Sequence, residues 1–302
     1  MKHIWPLDKR AELRSVGGKA FNLSLLAGSG LKVPRGFVIG AAAFGETLGA
    51  ELKQLRETRG AEAVKALLPL LKEKARRAAF SPALGQEISE AFALLNAPVA
   101  AVRSSAEAED GAGGSFAGQF ESFLGVNAGG LDSAIKRCWA SAFSRRAHSY
   151  REGFIPGMAV IVQEMVEAEV SGVAFSCDPV SGDRSSVVIE AVYGLCEPLV
   201  SGSVTPDNYR VSKEGVAAGG KNIVPQREYL GVSPAGGTAL FPVPEGLRAQ
   251  AKLGEEMLHR IARAAVSVES LFGKPVDIEW ALKGGELHIL QARPVTGLEE
   301  GK

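Results

Sequence analysis

The chain has 302 residues, of which 46% are hydrophobic and 23% charged, and its 34 basic side chains balance 34 acidic ones. This is the composition of a globular protein and excludes a disordered chain. The even charge gives no long-range attraction to nucleic acid or to an anionic membrane surface, so any basic site must be local. A chain of this length can form one large domain or two lobes.

The cysteines and the first residues of the chain indicate the cellular compartment of the protein. The three cysteines, Cys138, Cys177 and Cys196, lie far apart and form no CxxC pair, so we expect free thiols in a reducing compartment. The opening segment MKHIWPLDKRAEL has no apolar signal-peptide core. No apolar run approaches the roughly 18 to 20 residues that cross a membrane. The sequence therefore predicts a cytoplasmic protein that binds neither nucleic acid nor a membrane.

The first half of the chain is predicted to be mostly helical. Phe21, Leu25 and Leu26 form an apolar stripe at helical spacing, which places Gly17-Gly18-Lys19 on a loop that opens a helix. The other elements predicted here are a strand at 37–39, two or three helices across 43–95, a strand at 99–103 and an amphipathic helix at 131–152.

The second half has the pattern of antiparallel strands. The apolar runs MAVIVQEMV and VSGVAF are separated by EAE, which predicts a β-hairpin. The further elements predicted are a strand in SVVIEAVYG, exposed hairpins or loops at 212–247, a long helix at 253–271, and two closing strands around Gly284-Gly285. We expect an α+β fold with mostly antiparallel sheets, flanking helices and two lobes at about 1–156 and 157–298.

The closing segment VDIEWALKGGELHILQARPV suggests a magnesium site. Alternation places Asp277 and Glu279 on one face of the first strand, and Ile289, Gln291 and Arg293 on one face of the second. Pairing across the Gly-Gly turn would bring the carboxylate, the amide and the arginine together. Such oxygens suit Mg²⁺, and arginine binds phosphate in a bidentate manner. On spacing alone, a solvated face with a surface Glu–Arg pair is slightly favoured.

Two further segments are each open to two interpretations. Gly17-Gly18-Lys19 can offer N–H groups and a lysine charge to an anion, but it lacks Walker A spacing and such turns are more often structural. In VIVQEMV, Gln163, Glu164 and Met165 stand at a strand end, where backbone groups can meet an adenine edge. An ordinary core strand explains that segment more simply.

The segment AVRSSAEAEDGAGGSFAGQFESF combines an arginine with many glycines and hydroxyl groups. Arg103 either forms a salt bridge with Glu107, Glu109 or Asp110, or holds a phosphate chain under a flexible flap at 113–118. The four histidines occur singly, so no zinc site is expected.

Five blocks in one order along the chain together resemble a known family. The blocks are VGGKAFNLSLL with KVPRGFVI, AVRSSAEAEDGAGGSFAGQFESFLGV, VIVQEMVEAEVSGVAFSCDPVSGD, GLCEPLVSGSVTPDNY and DIEWALKGGELHILQARPVT. They resemble the nucleotide-binding domain shared by phosphoenolpyruvate synthase, pyruvate phosphate dikinase and rifampin phosphotransferase. The resemblance spans about Val16 to Thr296 and implies that residues 1–302 form a single ATP-grasp domain.

The resemblance implies that ATP and Mg²⁺ are the ligands, and it gives each matching position a role. The resemblance implies that Lys19, Arg103 and Arg293 bind the phosphates and take part in catalysis. It implies that Gly118 and Ser122 belong to the flap over the nucleotide. The residues implied to line the adenine site are Gln163, Glu164, Met165 and Val166. It implies that Glu279 and Gln291 bind the metal ion, with Asp277 as an acidic neighbour.

The family's chemistry passes a pyrophosphoryl group from ATP to a histidine on a separate swivelling domain and releases AMP. The phosphohistidine domain and the pyruvate-binding barrel are expected to be absent from this chain. We therefore expect an ATP-dependent phosphoryl transfer to a histidine, or another acceptor, on a separate protein. The alternatives are a nucleotide-binding sensor or regulatory module without turnover, and a kinase acting directly on a small molecule.

Two positions depart from the family pattern. Glu107 stands where threonine is usual, and Cys196 stands where glycine is usual. Glu107 would add a negative charge near the triphosphate unless its side chain points outward.

Overall fold

The computed structural model describes residues 3–107, 121–144, 157–213 and 220–296. The chain divides into two compact units. Unit 1 comprises Met1–Gly28, Arg35–Met165 and Ala235–Gly237, and unit 2 comprises Ser29–Pro34, Val166–Pro234 and Thr238–Lys302. Both contain helices and antiparallel sheet, so the predicted α+β class is confirmed.

Unit 1 carries a sheet with helices packed against it. Its elements are β1 (Ile4–Pro6), α1 (Leu13–Gly28), β2 (Gly36–Ile39), α2 (Ala41–Thr47), α3 (Gly49–Glu57), α4 (Ala61–Arg77), α5 (Pro82–Leu95), β3 (Ala100–Ala106), β4 (Ser122–Val126), α6 (Leu131–Ser141) and β5 (Met158–Glu164). The strands pair antiparallel in the order β1-β2-β5-β3-β4. The helix predicted over 131–152 ends at Ser141, and residues 145–152 of that prediction lie outside the described residues.

The core of unit 1 is built on β5. This strand pairs with β2 on one edge and β3 on the other, and residues 158–162 are fully buried. On the helical side, Trp139 packs edge-on against Phe44 and Phe80, with ring centroids 6.0 and 5.5 Å apart. Such aromatic contacts add to the large area these rings bury. The strand therefore holds its last residues, Gln163 and Glu164, on a rigid support.

Unit 2 carries a second, larger sheet and a separate hairpin. Its elements are β6 (Val170–Phe175), β7 (Ser186–Tyr193), α7 (Glu197–Val200), β8 (Asp207–Ser212), β9 (Lys221–Asn222), β10 (Glu228–Val232), β11 (Thr238–Pro242), α8 (Glu255–Phe272), β12 (Val276–Lys283) and β13 (Glu286–Pro294). The main sheet has the antiparallel order β13-β12-β6-β7-β8-β9, and β10 pairs with β11.

The main sheet of unit 2 has one apolar and one polar face. Helix α8 packs against β12, β13, β6, β7 and β8. Ile278 and Trp280 are fully buried, whereas Glu279, which alternates with them, is half-buried. Because neighbouring residues of a strand point to opposite faces, α8 covers the apolar face and the acidic residues occupy the other.

The predicted hairpin between MAVIVQEMV and VSGVAF is wrong. The first run forms β5, which pairs with β2 and β3, and the second forms β6, which pairs with β7 and β12. Each strand has both edges occupied, so neither has an edge free for the other. The local pattern of two apolar runs around a polar triplet identifies strands but does not determine their partners.

A buried ion pair joins three segments of unit 2. Lys252 Nζ lies 2.7 Å from Asp207 Oδ1, and both side chains are fully buried. Lys252 Nζ also donates to the Val224 carbonyl, and the Asp207 carboxylate accepts bonds from the Val224 N–H and the Tyr209 hydroxyl. Burial and the nearby Asp207 raise the pKa of Tyr209, so its hydroxyl stays a donor. The pair thus fastens residues 224 and 252 to β8.

We expect Lys252→Met to lower the free energy of unfolding by about 3–5 kcal/mol, since it leaves a buried carboxylate without its counter-charge. Urea denaturation measures the change. Lys221→Met, at an exposed lysine on β9, is the matched control and should change stability by less than about 0.5 kcal/mol. Equal stability of the two variants would contradict this account of the ion pair.

Candidate functional site

Gly17-Gly18-Lys19 lies inside α1, at a break in the helix. Gly17 has φ 76° and ψ 169°, so the helix is interrupted there and a new helical segment follows. The prediction of a loop opening the helix is corrected in part. Helical residues begin at Leu13, before the glycines, and a new helical segment starts after a one-residue break at Gly17.

The break lets α1 approach the end of β3 very closely. A Cβ on Gly17 would lie 2.1 Å from the Ser105 carbonyl oxygen, which no side chain tolerates. The Ala20 N–H donates to Ser105 Oγ at 3.1 Å, and Lys19 Nζ donates to the Ser104 carbonyl at 3.4 Å. Lys19 is therefore held beside the residue that follows Arg103 in the chain.

Strand pairing places Ser122 opposite Arg103. Arg103 is half-buried on β3, and its register partners are Ser122 on β4 and Ile161 on β5. The structure thus brings Lys19, Arg103 and Ser122 together in unit 1. We call these three residues the basic group.

The remainder of the glycine-rich segment cannot be compared with its prediction. Gly118, Glu109, Asp110 and the flap at 113–118 lie outside the described residues. Glu107 is described, and its side chain is exposed at the end of β3.

The segment predicted to meet adenine ends β5. Gln163 is buried, and the Glu164 carboxylate accepts a bond from Arg35 Nε at 3.0 Å. The Glu164 N–H donates to the Arg35 carbonyl and the Met165 N–H donates to the Val99 carbonyl. The Val166 carbonyl accepts a bond from Ala168. Among the described residues, the Met165 carbonyl and the Val166 N–H make no hydrogen bond, and because they belong to one trans peptide unit they point in opposite directions.

The closing strands pair so that their polar residues stand opposite each other. Asp277 lies opposite Arg293, and Glu279 lies opposite Gln291. Arg293 Nε donates to both Asp277 carboxylate oxygens, at 3.0 and 2.8 Å. The Asp277 side chain is 10% exposed and the Arg293 side chain 31%. We call these four residues the β12–β13 cluster.

A β-bulge follows the cluster and corrects the predicted alternation. The register shifts between Glu279 and Trp280, so that Trp280 pairs with Ile289. Ile289 is buried on the face of Trp280, not on the face of Gln291 and Arg293 as a regular strand would require. Arg293 also forms an ion pair with Asp277, which the alternation did not single out.

The polar face continues beyond the cluster to residues that the sequence did not single out. Glu279 lies opposite Val173, Val173 opposite Glu190, and Glu190 opposite Asn208. Burial raises the pKa of the Glu190 carboxyl, and a hydrogen bond from Asn208 acts in the opposite direction. The signal that could have identified Glu190 is a single acid in the apolar run SVVIEAVY.

The β12–β13 cluster has the chemistry of a magnesium–phosphate site. Among the residues that the structure describes, no group of three or more His, Cys, Asp or Glu could hold a metal by itself. A cation at Glu279 would therefore need the Gln291 amide oxygen, water or phosphate oxygens, which is how Mg²⁺ is commonly bound. Arg293, oriented by Asp277, can bind an adjacent phosphate.

We expect Gly17→Ala to destabilise the protein by at least about 1–2 kcal/mol, because a Cβ is disfavoured at this positive φ and collides with Ser105. Gly45→Ala is the control, since that glycine lies in α2 with open space around it. It should leave stability unchanged or raise it by about 0.5–1 kcal/mol. Urea unfolding compares the two, and a neutral Gly17→Ala would contradict the close approach of α1 and β3.

The described part of the chain contains no helix long and apolar enough to cross a membrane.

Comparison with known proteins identifies the family of the chain. Residues 13–302 match the family described as "Pyruvate phosphate dikinase, AMP/ATP-binding domain". A probable phosphoenolpyruvate synthase of Methanocaldococcus jannaschii is 32% identical over 100% of this chain and 27% of its own length. A rifampicin phosphotransferase of Streptomyces sviceus is 35% identical over 95% of this chain and 35% of its own length. An uncharacterized phosphotransferase of Bacillus subtilis is 36% identical over 98% of this chain and 35% of its own length.

The chain thus spans between about a quarter and about a third of the length of these relatives. The family match, in contrast, covers nearly all of the chain. The chain belongs to the pyruvate phosphate dikinase AMP/ATP-binding domain family, whose relatives include phosphotransferases.

Proposed function

We propose that this domain binds ATP together with Mg²⁺ and transfers phosphate from it to a histidine, or another acceptor, on a separate protein. The observation that carries the proposal is the register of β12 and β13. It sets a carboxylate opposite an amide and an arginine opposite the aspartate that orients it. We also propose that residues 1–302 form one ATP-grasp domain.

In this proposal Glu279 and Gln291 hold Mg²⁺ through their oxygens, with water and phosphate oxygens as the other ligands. The ion would neutralise phosphate charge and orient the transferred group. Arg293 binds a phosphate oxygen, and Asp277 holds the guanidinium in place at 2.8 Å. The Asp277 carboxylate, 10% exposed, acts through Arg293 and is a positioning residue.

The basic group supplies the remaining phosphate contacts. Lys19 and Arg103 neutralise charge that builds up as the phosphoryl group is transferred, which is the main task of a protein in this chemistry. Ser122 offers a hydroxyl opposite Arg103. Gly118 is proposed to cover the nucleotide. Because the Glu107 side chain is exposed, we propose that its carboxylate lies in solvent and not against the phosphates.

The adenine is proposed to bind along residues 163–166. The Val166 N–H would donate to a ring nitrogen of the adenine, whereas the Met165 carbonyl belongs to the same trans peptide unit and points in the opposite direction. The Glu164 side chain is already engaged by Arg35. This engagement supports a backbone role for Glu164 and a role for Gln163 in shaping the site.

We place the protein in the cytoplasm. Cys138, Cys177 and Cys196 are all buried free thiols, which fits a reducing compartment.

Product analysis tests the transfer. The full chain is incubated with ATP and Mg²⁺, with and without candidate acceptor proteins that contain an exposed histidine, and nucleotides are separated by chromatography. We expect AMP to accumulate only with the acceptor, because a pyrophosphoryl group passes from ATP to its histidine. Transfer of the outer phosphate to water or inorganic phosphate then leaves a phosphohistidine. ADP as the sole nucleotide product would instead support a direct kinase, and binding without any turnover would support a sensor.

Arg293→Ala should lower the rate of AMP formation by about 10²–10³-fold, the usual loss when one donor to a transition-state charge is removed. Arg184→Ala, at an exposed arginine of the same unit, is the matched control and should retain the rate. Equal rates for both variants would remove Arg293 from the proposed site.

A further inference from the structure

Unit 2 contains a cavity that lies outside the candidate site. Its volume is about 470 Å³, within the range of roughly 300–1,000 Å³ that is typical of small-molecule pockets. Its walls are the segment 167–169, the end of β7, the β10–β11 hairpin and residues 243–247. All of its described lining residues belong to unit 2, and they include no member of the basic group, of the β12–β13 cluster or of residues 163–166.

Backbone contacts hold the hairpin over the end of β7. Gly194 has φ 76°, and a Cβ there would lie 2.3 Å from the Leu230 carbonyl oxygen. The Leu195 N–H donates to that same carbonyl at 2.8 Å. The buried Gln226 side chain accepts a bond from the Tyr193 N–H and donates to the Tyr193 carbonyl. The walls of the cavity are therefore formed by the fold itself, as in most small-molecule sites.

Three aromatic rings line the cavity. Tyr229 and Phe241 stand opposite each other in the hairpin and stack with their ring centroids 5.6 Å apart, and Tyr193 lines the cavity with them. Gly231 lies beside the stacked pair, where a Cβ would be 2.9 Å from a Phe241 ring atom and 3.2 Å from a Tyr229 ring atom. Because a side chain at position 231 would cover part of both rings, the glycine leaves them accessible to a flat ligand.

The charged residues that line the cavity are acidic. They are Glu167 and Glu169, and no lysine, arginine or histidine of the described chain joins them. Lys283 Nζ forms an ion pair with the Glu167 carboxylate at 2.9 Å. The Glu169 carboxylate accepts a bond from the Gly284 N–H at 3.2 Å and has no ion pair with any described residue. Glu169 is thus the acid of the cavity whose charge is not balanced by a protein cation.

The third ring, that of Tyr193, already contacts a cation. Lys252 Nζ lies 5.2 Å from the centre of this ring, and Asp207 balances the charge of Lys252 within the protein. The Tyr193 hydroxyl donates to the Leu247 carbonyl at 3.1 Å, which fixes the ring in place. The faces of aromatic rings attract cations. Aromatic surface and unbalanced negative charge together therefore favour a positively charged ligand over a neutral or anionic one.

We propose that this cavity binds a small organic cation that carries a flat aromatic body. The body stacks against Tyr229 and Phe241, and the ammonium group lies against the Glu169 carboxylate. The class of ligand follows from the lining, because the rings supply apolar surface and the unbalanced acid selects the positive charge. The inference is independent of the proposed function, since it uses no contact with ATP.

The test compares three compounds that share an indole ring and differ in charge: tryptamine, a cation; tryptophol, which is neutral; and indole-3-propionate, an anion. Each is titrated into the full chain at pH 7 and followed by calorimetry. We expect tryptamine to bind about tenfold more tightly than tryptophol, and indole-3-propionate to bind more weakly still. Glu169→Gln keeps the size of the side chain. It should lower the affinity for tryptamine by about three- to fivefold, as expected for an exposed carboxylate, and leave that for tryptophol unchanged.

Phe241→Ala should weaken tryptamine and tryptophol alike, by about three- to tenfold, because both stack on the same ring. Glu228→Gln, at an exposed glutamate of β10 outside the cavity, is the matched control and should change neither affinity. The inference is overturned if tryptamine does not bind, if the three compounds bind equally, or if Glu169→Gln binds tryptamine as tightly as Glu228→Gln does. Displacement of tryptamine by ATP with Mg²⁺ would place it in the nucleotide site and also overturn the inference.

Discussion

The pairing of β12 with β13 is the constraint on which the candidate site depends. The two strands are joined through Gly284 and Gly285, whose φ values of 57° and 75° are those of a tight hairpin turn that glycine adopts without strain. The turn sets the register, and the register sets Asp277 opposite Arg293 and Glu279 opposite Gln291. A slip of one residue would turn every side chain of one strand to the other face.

The bulge after Glu279 reconciles this register with the core. Trp280 and Ile289 are buried against the side of the sheet that α8 covers, while Glu279 and Gln291 stay on the polar face. The extra residue is Leu290, which has no partner on β12. In a regular strand without it, Ile289 and Gln291 would lie on the same face, so burial of Ile289 would place Gln291 on the apolar face. The bulge therefore lets one hairpin contribute both to the core of unit 2 and to a polar site.

A comparable constraint operates in unit 1, where a single glycine lets two elements touch. The backbone at Gly17 leaves the helical region and comes against Ser105, which leaves no room for a side chain. This approach holds Lys19 against β3 next to Arg103. In both units, then, the polar residues are carried by elements whose backbones are fixed by glycine geometry and by a buried strand behind them.

The elements and the closing register were accessible from sequence, because periodicity and a Gly-Gly turn are local signals. The pairing of β5 and β6 was not, because alternation does not say which strands meet. The bulge was missed for a related reason: regular alternation was assumed through Leu290. The roles proposed for Lys19, Arg103 and Gln163 come from the combined resemblance of five segments, since each segment alone is explained by ordinary structure. Glu190 was missed because one acid in an apolar strand has no motif, and only the folded sheet aligns it with Glu279.

Calorimetric titration of ATP into the full chain, with Mg²⁺ and again with a chelator, tests the central claim most directly. The account predicts saturable binding with Mg²⁺, and a loss of about tenfold or more in affinity both without the ion and in Glu279→Ala. Glu286→Ala, at the exposed end of the same hairpin, should bind as the unmodified protein does. Absence of binding at millimolar ATP, or binding that neither the ion nor Glu279 affects, would contradict it.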